Sequence, residues 1–256
     1  MNYKWLKIIS FFITSFMLTQ PLSATLLETK IAQANNYYTA ARYDSAMIQY
    51  QSVVDAGYES SGLYYNLGNT YFKLKNIPSA ILYYEKAKKL NPTDEDILNN
   101  IAVANGMIVD KIDQLPRFFF KNWWDNIYNL FNADSWAWIS VFSFIMTLTA
   151  SFLYFTSSIL WLKKSGFFLG LVMLLTTIIG FGLASQRYFY TKQATEAIIF
   201  APTITVKSSP GNSSVDLFVL HEGTKVVLMD EVIGWHKIKI ANGSVGWLPN
   251  DSYEGI

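Results

Sequence analysis

The segment at residues 64–92 alternates small and large side chains at helical spacing, and this pattern constrains the fold more than any other feature. Its marker positions, which combine aromatic, small and turn-forming residues, are Tyr64, Leu67, Gly68, Tyr71, Ala80, Tyr84, Ala87 and Pro92. Two helices can cross closely where one offers a small residue and the other fills the space with a ring. The spacing therefore predicts a tightly packed pair of helices joined by a turn.

These eight positions resemble the markers of the tetratricopeptide repeat, a helical hairpin with a period of about 34 residues. The resemblance implies a fold that binds proteins and rarely performs chemistry. One repeat cannot bury its own apolar face, so neighbouring repeats are required. One period earlier, compatible residues stand at Ala34, Tyr37, Ala46 and Tyr50.

We therefore predict an all-α tetratricopeptide repeat domain over residues 25–113. Its better repeat is expected at 61–94 and a degenerate one at 27–60. A capping helix is predicted at 94–112, because Thr93 and Asp96 resemble a capping box. The nearby acidic run also suits the positive end of a helix dipole, and this interpretation is favoured over a metal cluster.

The first helix of each repeat is expected to direct a row of side chains into a concave groove. By resemblance to the repeat family, the groove residues are Asn35, Tyr38, Tyr65, Asn69, Phe72, Lys73 and Asn99. Asn69 can offer a donor and an acceptor to an extended peptide, and Lys73 can pair with a carboxylate. A plain solvated helix face is the alternative explanation of the same residues.

Two long uncharged runs predict that the chain crosses a membrane. The chain has 256 residues, of which 51% are hydrophobic, and this is too apolar for a wholly soluble protein. The runs at 136–160 and 167–186 are each long enough to span a bilayer as a helix. Lys163 and Lys164 fall in a predicted turn at 161–166, which the positive-inside rule assigns to the cytoplasm.

The segments before each of these regions have their own signatures. Residues 1–24 join two lysines to a short apolar run, which predicts a secretory signal peptide, with an uncleaved anchor as the alternative. Either one places the repeats outside the cytoplasm. Residues 114–135 combine aromatic and basic side chains, as expected for an interfacial linker in the lipid headgroup layer. A linker packed under the repeat domain is the alternative.

A change to two-residue alternation predicts a small all-β barrel over residues 187–256. Short alternating runs, separated by glycine-containing turns, lie at 204–207, 225–228 and 235–240. The order of one Gly-Thr and two Gly-Trp dipeptides, at Gly223, Gly234 and Gly246, resembles the bacterial SH3-like domain. The last acidic residues, Asp251 and Glu254, are expected in a terminal tail.

The sequence gives no basis for catalysis, a metal site or a cofactor. His221 and His236 are the only histidines, and their spacing is loose for metal ligands. No phosphate-binding, dinucleotide-binding or serine-nucleophile motif occurs. The absence of cysteine excludes disulfides and thiolate sites. A net charge of +1 without a basic stripe argues against a nucleic-acid partner. We therefore expect that the protein is not an enzyme.

The order of the parts resembles the BatE family of bacterial aerotolerance operons, and segments 98–105 and 220–226 carry the resemblance locally. The resemblance implies a two-pass protein of the bacterial inner membrane, with its repeat and SH3-like domains in the periplasm. The implied partners are Bat-type membrane proteins, some with von Willebrand A domains, and a MoxR-type ATPase. The implied role is a non-enzymatic scaffold linked to stress or oxygen tolerance. The alternative is peptidoglycan binding through the SH3-like domain.

Overall fold

The computed structural model describes residues 22–113, 115, 119–193 and 195–256. In this part of the chain the helices are α1 (Leu22–Thr39), α2 (Tyr43–Asp55), α3 (Ser61–Lys73), α4 (Ile77–Leu90), α5 (Glu95–Asn105), α6 (Phe119–Tyr128), α7 (Ala133–Thr156) and α8 (Leu160–Lys192). The strands are β1 (Glu196–Ile199), β2 (Thr203–Lys207), β3 (Asp216–His221), β4 (Lys225–Val232), β5 (Trp235–Lys239), β6 (Val245–Pro249) and β7 (Tyr253–Gly255). The predicted signal peptide lies outside the described residues, except for its last three, which begin α1.

Helices α1 to α5 form a helical repeat region of two hairpins and one further helix. The two hairpin turns share an unusual backbone feature, since Ala41 and Lys75 both have positive φ, at 57° and 61°. These residues are one repeat period of about 34 residues apart. Each lies in the turn between the two helices of its hairpin, so the repeat is present in the backbone as well as in the sequence.

The capping helix α5 begins and ends differently from the prediction. Its N-cap is Asp94 rather than Thr93, since the Asp94 carboxylate accepts hydrogen bonds from the main-chain N–H groups of Asp96 and Ile97. The helix ends at Asn105, not at residue 112. The following residues, 106–113 with Leu115, form a strap that runs onto the β domain. Contacts with distant strands, which local propensity does not encode, hold the strap in this path.

Among the described residues, helices α7 and α8 are long and apolar enough to cross a membrane, with mean hydropathies of 1.7 and 2.3 over their most apolar stretches. They pack closely, because a Cβ on Gly166 would lie 3.1 Å from the Ala150 carbonyl oxygen. The Ser140 hydroxyl donates to the Thr177 carbonyl oxygen across the pair at 3.0 Å. The sequence-based prediction of two adjacent apolar helices is therefore confirmed.

The connection between α7 and α8 is not the basic turn predicted at residues 161–166. The chain leaves α7 at Ser157, which is extended with ψ of 140°. The Ser157 hydroxyl accepts from the Ile159 N–H, and helix α8 begins at Leu160. Lys163 and Lys164 therefore lie in the first turns of α8, because lysine is a good helix former and the single glycine that follows, Gly166, is tolerated within the helix.

Helix α8 also continues past residue 186 to Lys192, so the first residues of the predicted β domain at 187–256 are helical. The strands that follow form one antiparallel sheet in the order β3-β2-β6-β5-β4-β1-β7. The sheet is open, with β3 and β7 at its edges, and the predicted closed barrel is not formed. Its core is built from alternate apolar residues, including Val206, Leu220, Ile238 and Leu248, which are all at most 2% exposed.

The β domain packs directly on the second helix of the better repeat. Nine of the 14 residues of α4 are buried, because α4 contacts its own hairpin partner on one side and β1 on another. Ile198 of β1 and the terminal Ile256 join the same apolar core as Leu67 and Ile81. Glu254 is not in a tail as predicted, since it pairs with Ile198 in the sheet and lies 3.6 Å from the Lys86 ammonium.

Candidate protein-binding groove

The first helices of the repeat region line a cavity of about 290 Å³ on the concave face. Its walls combine aromatic, amide and aliphatic side chains, namely Tyr38, Tyr65, Asn69, Phe72, Lys73, Tyr84, Asn100 and Val103. The first five were predicted from the sequence, and the structure brings them together. Tyr84, Asn100 and Val103 were not foreseen as groove residues. Whether these side chains bind a partner remains a prediction.

Asn69 lies at the centre of a hydrogen-bond network in this groove. Its side-chain oxygen accepts from the Tyr84 hydroxyl at 2.8 Å and from the Asn100 amide at 2.8 Å. The Asn100 amide also donates to the Tyr65 hydroxyl at 3.2 Å. The acceptor that sequence reasoning offered to a peptide is therefore already used within the protein. Among the described residues, the Asn69 amide NH₂ group has no hydrogen-bond partner and stays available as a donor.

The same network occurs one repeat earlier, around Asn35. The Asn35 side-chain oxygen accepts from the Tyr50 hydroxyl and from the Asn66 amide. Each of these three residues stands one period of about 34 residues before its counterpart. Asn35 does not line the cavity described above. Its role in the structure is to link the two helices of the degenerate repeat to the next one.

Asn99, the last predicted groove residue, is exposed and does not line the cavity. Its neighbour Asn100 takes that place, because α5 continues the repeat in register with Asn66. The sequence did contain this signal, since Asn66 and Asn100 are one period apart. Applying the period to asparagines, as well as to aromatic and small residues, would have identified it.

Buried tyrosines support the groove from beneath. Burial raises the pKa of Tyr50 to about 12, and burial also raises the pKa of Tyr84 above its ordinary value. Both phenols are therefore neutral at physiological pH and can act as hydrogen-bond donors to Asn35 and Asn69. The network is uncharged, so it provides shape and fixed hydrogen-bond geometry rather than electrostatic attraction.

The predicted packing residues lie between α3 and α4, directly below the groove. Those that are buried are Tyr64, Leu67, Gly68, Ala80, Tyr84 and Ala87, whereas Tyr71 and Pro92 are partly exposed. A Cβ on Gly68 would lie 2.6 Å from Cδ1 of the Tyr84 ring, well inside van der Waals contact. Gly68 thus allows the tyrosine to reach Asn69.

The groove carries one cation and no carboxylate. Lys73 is the only charged side chain among its lining residues. It forms no hydrogen bond or ion pair with another described residue, and it is not needed to hold the walls in place. The chemical character of the groove is therefore amide donors, aromatic faces and one ammonium group, which suits an extended peptide that bears a carboxylate.

The two histidines are both engaged in side-chain contacts. His221 Nδ1 lies 2.8 Å from the Asp110 carboxylate, and His236 Nδ1 lies 2.6 Å from the Tyr253 hydroxyl. Within the described ranges, no three histidine, cysteine or acidic side chains are grouped as metal ligands.

Comparison with known families gives one match. The tetratricopeptide repeat family matches residues 62–94, almost the same range as the better repeat identified from the sequence. A search of curated proteins finds no match to the chain. The helix pair α3–α4 is thus similar to a repeat whose general use is protein–protein interaction and which is not itself catalytic.

Proposed function

We propose that the protein is a membrane-bound scaffold that docks a partner protein in the concave groove of its repeat region. The observation that carries the proposal is the repeated asparagine–tyrosine–asparagine network, which fixes the groove wall before any partner arrives. A binding surface that is already ordered loses less conformational entropy on association. The match to the tetratricopeptide repeat family supports the same conclusion.

The groove favours an extended segment with at least one acidic side chain. The Asn69 NH₂ group is a donor for a main-chain carbonyl oxygen, and Lys73 is a counter-ion for a carboxylate. Tyr65 and Phe72 offer aromatic faces between them. A scaffold of this kind needs no enzymatic activity and no cofactor.

Contacts between the repeat region and the β domain support a two-pass topology. Lys225 of β4 lies 2.9 Å from the Glu85 carboxylate of α4, so the two regions lie on one side of the membrane. The apolar helices between them must then enter and leave through the same face. We place this shared side in the periplasm and the hairpin in the bacterial inner membrane, from the predicted signal peptide and the two lysines near the start of α8.

The absence of cysteine allows a direct test of topology. Single cysteines at the exposed positions Glu95 and Ser213 should react with a membrane-impermeant maleimide in intact spheroplasts. A cysteine at Lys164 should react only after the membrane is opened. Labelling of Glu95→Cys and Ser213→Cys on opposite sides would contradict the two-pass arrangement.

The family context is part of the proposal. The order of repeat region, apolar hairpin and β domain is that of the BatE family, so we assign partners among Bat-type membrane proteins and a role in stress or oxygen tolerance. We also propose that the five consecutive strands of the sheet from its β3 edge, β3-β2-β6-β5-β4, correspond to an SH3-like domain. The glycines at the turns before Thr224 and Trp235 have positive φ, in keeping with that assignment.

The groove is tested with the full chain in detergent and a library of displayed peptides. Peptides enriched on the wild type should carry acidic residues and should bind Lys73→Ala about tenfold more weakly, because one charge-assisted hydrogen bond is lost. Lys239→Ala, which removes an exposed lysine from β5, is the matched control and should bind normally. Equal binding by all three proteins would exclude the groove as the docking site.

Peptidoglycan binding by the β domain remains the competing prediction. Cosedimentation of the full chain with purified peptidoglycan tests it directly. Retention that is unchanged by Lys73→Ala, together with failure to enrich peptides, would replace the groove proposal with this one.

A further inference from the structure

We propose that the full chain binds the anionic headgroup of a phospholipid in a junction cavity, formed where α4, α8 and β1 meet. The cavity has a volume of about 440 Å³ and is separate from the groove. Its lining includes four cations, Lys88, Lys89, Arg187 and Lys225, and two carboxylates, Glu85 and Glu196, which leaves a net charge of +2. The inference rests on the membrane location proposed above but not on the docking role of the groove.

Arg187 is the central group of the junction cavity. It is only 2% exposed, yet no carboxylate among the described residues pairs with it. Its guanidinium donates to the Asn129 side-chain oxygen at 2.8 Å and to the Lys89 carbonyl oxygen at 3.0 Å. Its Nε is buried without a hydrogen-bond partner in the described part of the chain. A buried cation with neutral partners and an unused donor is costly, and an anion in the cavity would remove that cost.

The two carboxylates of the cavity are already paired with two lysines, Lys225 and Lys88, and the Lys88 ammonium lies 3.9 Å from Glu85. The Lys225 ammonium lies 2.9 Å from Glu85 and 2.9 Å from Glu196. Although burial lowers the pKa of Lys225, these two carboxylates raise it overall, so the lysine is charged at neutral pH. The Lys89 ammonium instead donates to the main-chain oxygens of Gln193 and Ile256, each at 2.7 Å. The positive excess therefore lies on the Arg187 side of the cavity.

The position of Arg187 along α8 identifies the source of the anion. Arg187 is the first charged residue after the uncharged run at 167–186, so it lies where the apolar helix leaves the hydrocarbon layer. The next residues, Tyr188 and Phe189, are 54% and 58% exposed, as expected at the membrane interface. Trp123 of α6 is also 62% exposed. An anion at this depth is a lipid phosphate, whose acyl chains can extend beside α8.

The chemistry of the cavity also suits a phosphate diester. Arginine binds phosphate oxygens with directed, charge-assisted hydrogen bonds. The volume lies within the range of about 300–1,000 Å³ that is usual for small-molecule sites. The rings of Tyr128 and Tyr190 lie 5.1 and 5.7 Å from the guanidinium carbon, so the arginine is held in place before the lipid arrives.

Thermal unfolding of the detergent-solubilised full chain, with added short-chain lipid, tests the inference. Phosphatidylglycerol should raise the Tm in a dose-dependent manner, whereas phosphatidylcholine should not. Inorganic phosphate serves as the third probe. A Tm rise with inorganic phosphate equal to that with phosphatidylglycerol would show a free-anion site and overturn the lipid assignment.

Variants of two cavity residues locate the site. The apparent affinity for phosphatidylglycerol should fall about tenfold in Arg187→Gln, the value of one charge-assisted hydrogen bond. If Arg187→Gln does not fold, Lys88→Gln replaces it, because the Lys88 side chain is 39% exposed and can be changed without disturbing the core. Lys192→Gln is the matched control, since Lys192 lies on the same helix but pairs with Glu59 outside the cavity.

The outcomes separate this site from the groove. Equal effects of phosphatidylglycerol and phosphatidylcholine, or of Lys88→Gln and Lys192→Gln, would overturn the lipid site. Peptide binding to the groove would be unaffected by that result. Conversely, a lipid effect that depends on Arg187 or Lys88 supports the site even where no peptide is enriched.

Discussion

The two faces of the repeat region differ in what covers them. The concave face is open, and among the described residues neither the Asn69 amide NH₂ group nor the Lys73 ammonium beside it has a partner. The opposite face is covered by the β domain, where Ile108 of the strap fills the space over Gly223 and Lys225 pairs with Glu85. One surface is thus covered within the chain, and the other is the surface that we propose binds a partner. Covered and open faces should respond differently to substitution.

The largest difference is expected at Lys225. The variant Lys225→Met leaves Glu85, whose side chain is 7% exposed, without its closest cation. Breaking such a pair costs about 3 kcal/mol, the lower end of the usual range, because Lys225 itself is 30% exposed. The Tm of the full chain should fall clearly, while peptides still bind the groove below the transition.

Lys237→Met provides the comparison on the same sheet. Lys237 lies 3.6 Å from Asp230, whose side chain is 69% exposed, and such surface pairs contribute little. Similar Tm values for Lys225→Met and Lys237→Met would mean that the covered face is not held by its buried charges.

A second difference separates two glycines of α3. Gly68→Ala places a methyl group 2.6 Å from the Tyr84 ring and should cost about 1–3 kcal/mol through overpacking. Because Tyr84 donates to Asn69, this change should also weaken peptide binding. Gly62→Ala on the same helix meets no atom within 4 Å and should be neutral or slightly stabilising. Thermal unfolding and peptide affinity of both variants give the result, and equal behaviour would refute the close crossing.

The smallest effect is a pH dependence confined to the covered face. Although burial raises the pKa of Asp110, hydrogen bonds from Thr224 and from the main chain and ring of His221 lower it overall. Because the folded pKa is lowered, this stability is present above the unfolded pKa of about 3.9 and is lost as pH falls through the folded value.

Asp110→Asn should therefore destabilise the chain by about 1 kcal/mol at neutral pH, and by less as the pH falls through the folded pKa of Asp110. Urea unfolding at neutral and at acid pH measures this. Asp113→Asn is the control, because Asp113 lies on the same strap and its side chain is exposed. A difference between wild type and Asp110→Asn that persists unchanged in acid would contradict the role of the carboxylate.

The parts that could be predicted from sequence are those that repeat locally. The spacing of Gly68 and Tyr84 records a contact within one hairpin, so the pattern and the structure agree. The apolar runs of α7 and α8 likewise carry their own signal. The prediction for the end of α5 was wrong because residues 106–113 are held by contacts with strands more than a hundred positions later. Glu254 was assigned to a tail for the same reason, since its pairing with β1 and Lys86 leaves no local trace.

The groove shows an intermediate case. Five of its residues followed from the repeat pattern, but Asn100 was missed, because its counterpart one period earlier, Asn66, was not among the predicted groove positions. The prediction of the α7–α8 connection was wrong for a different reason. Two lysines suggested a turn, although lysine is compatible with the first turns of a helix. The two lysines marked the end of the uncharged run and not the position where the backbone leaves the helix.

The presence of Ile198 and Ile256 in the core beside α4 has a consequence for how the chain is made. The helical hairpins are synthesised before the β domain, yet their exposed apolar side is filled by residues of that domain, which follows both long apolar helices in the chain. Between these events the two long apolar helices, α7 and α8, are synthesised. Until then Ile81 and Ile108 remain uncovered, which is a typical target for a chaperone. Completion of the repeat region therefore waits for synthesis of the β domain.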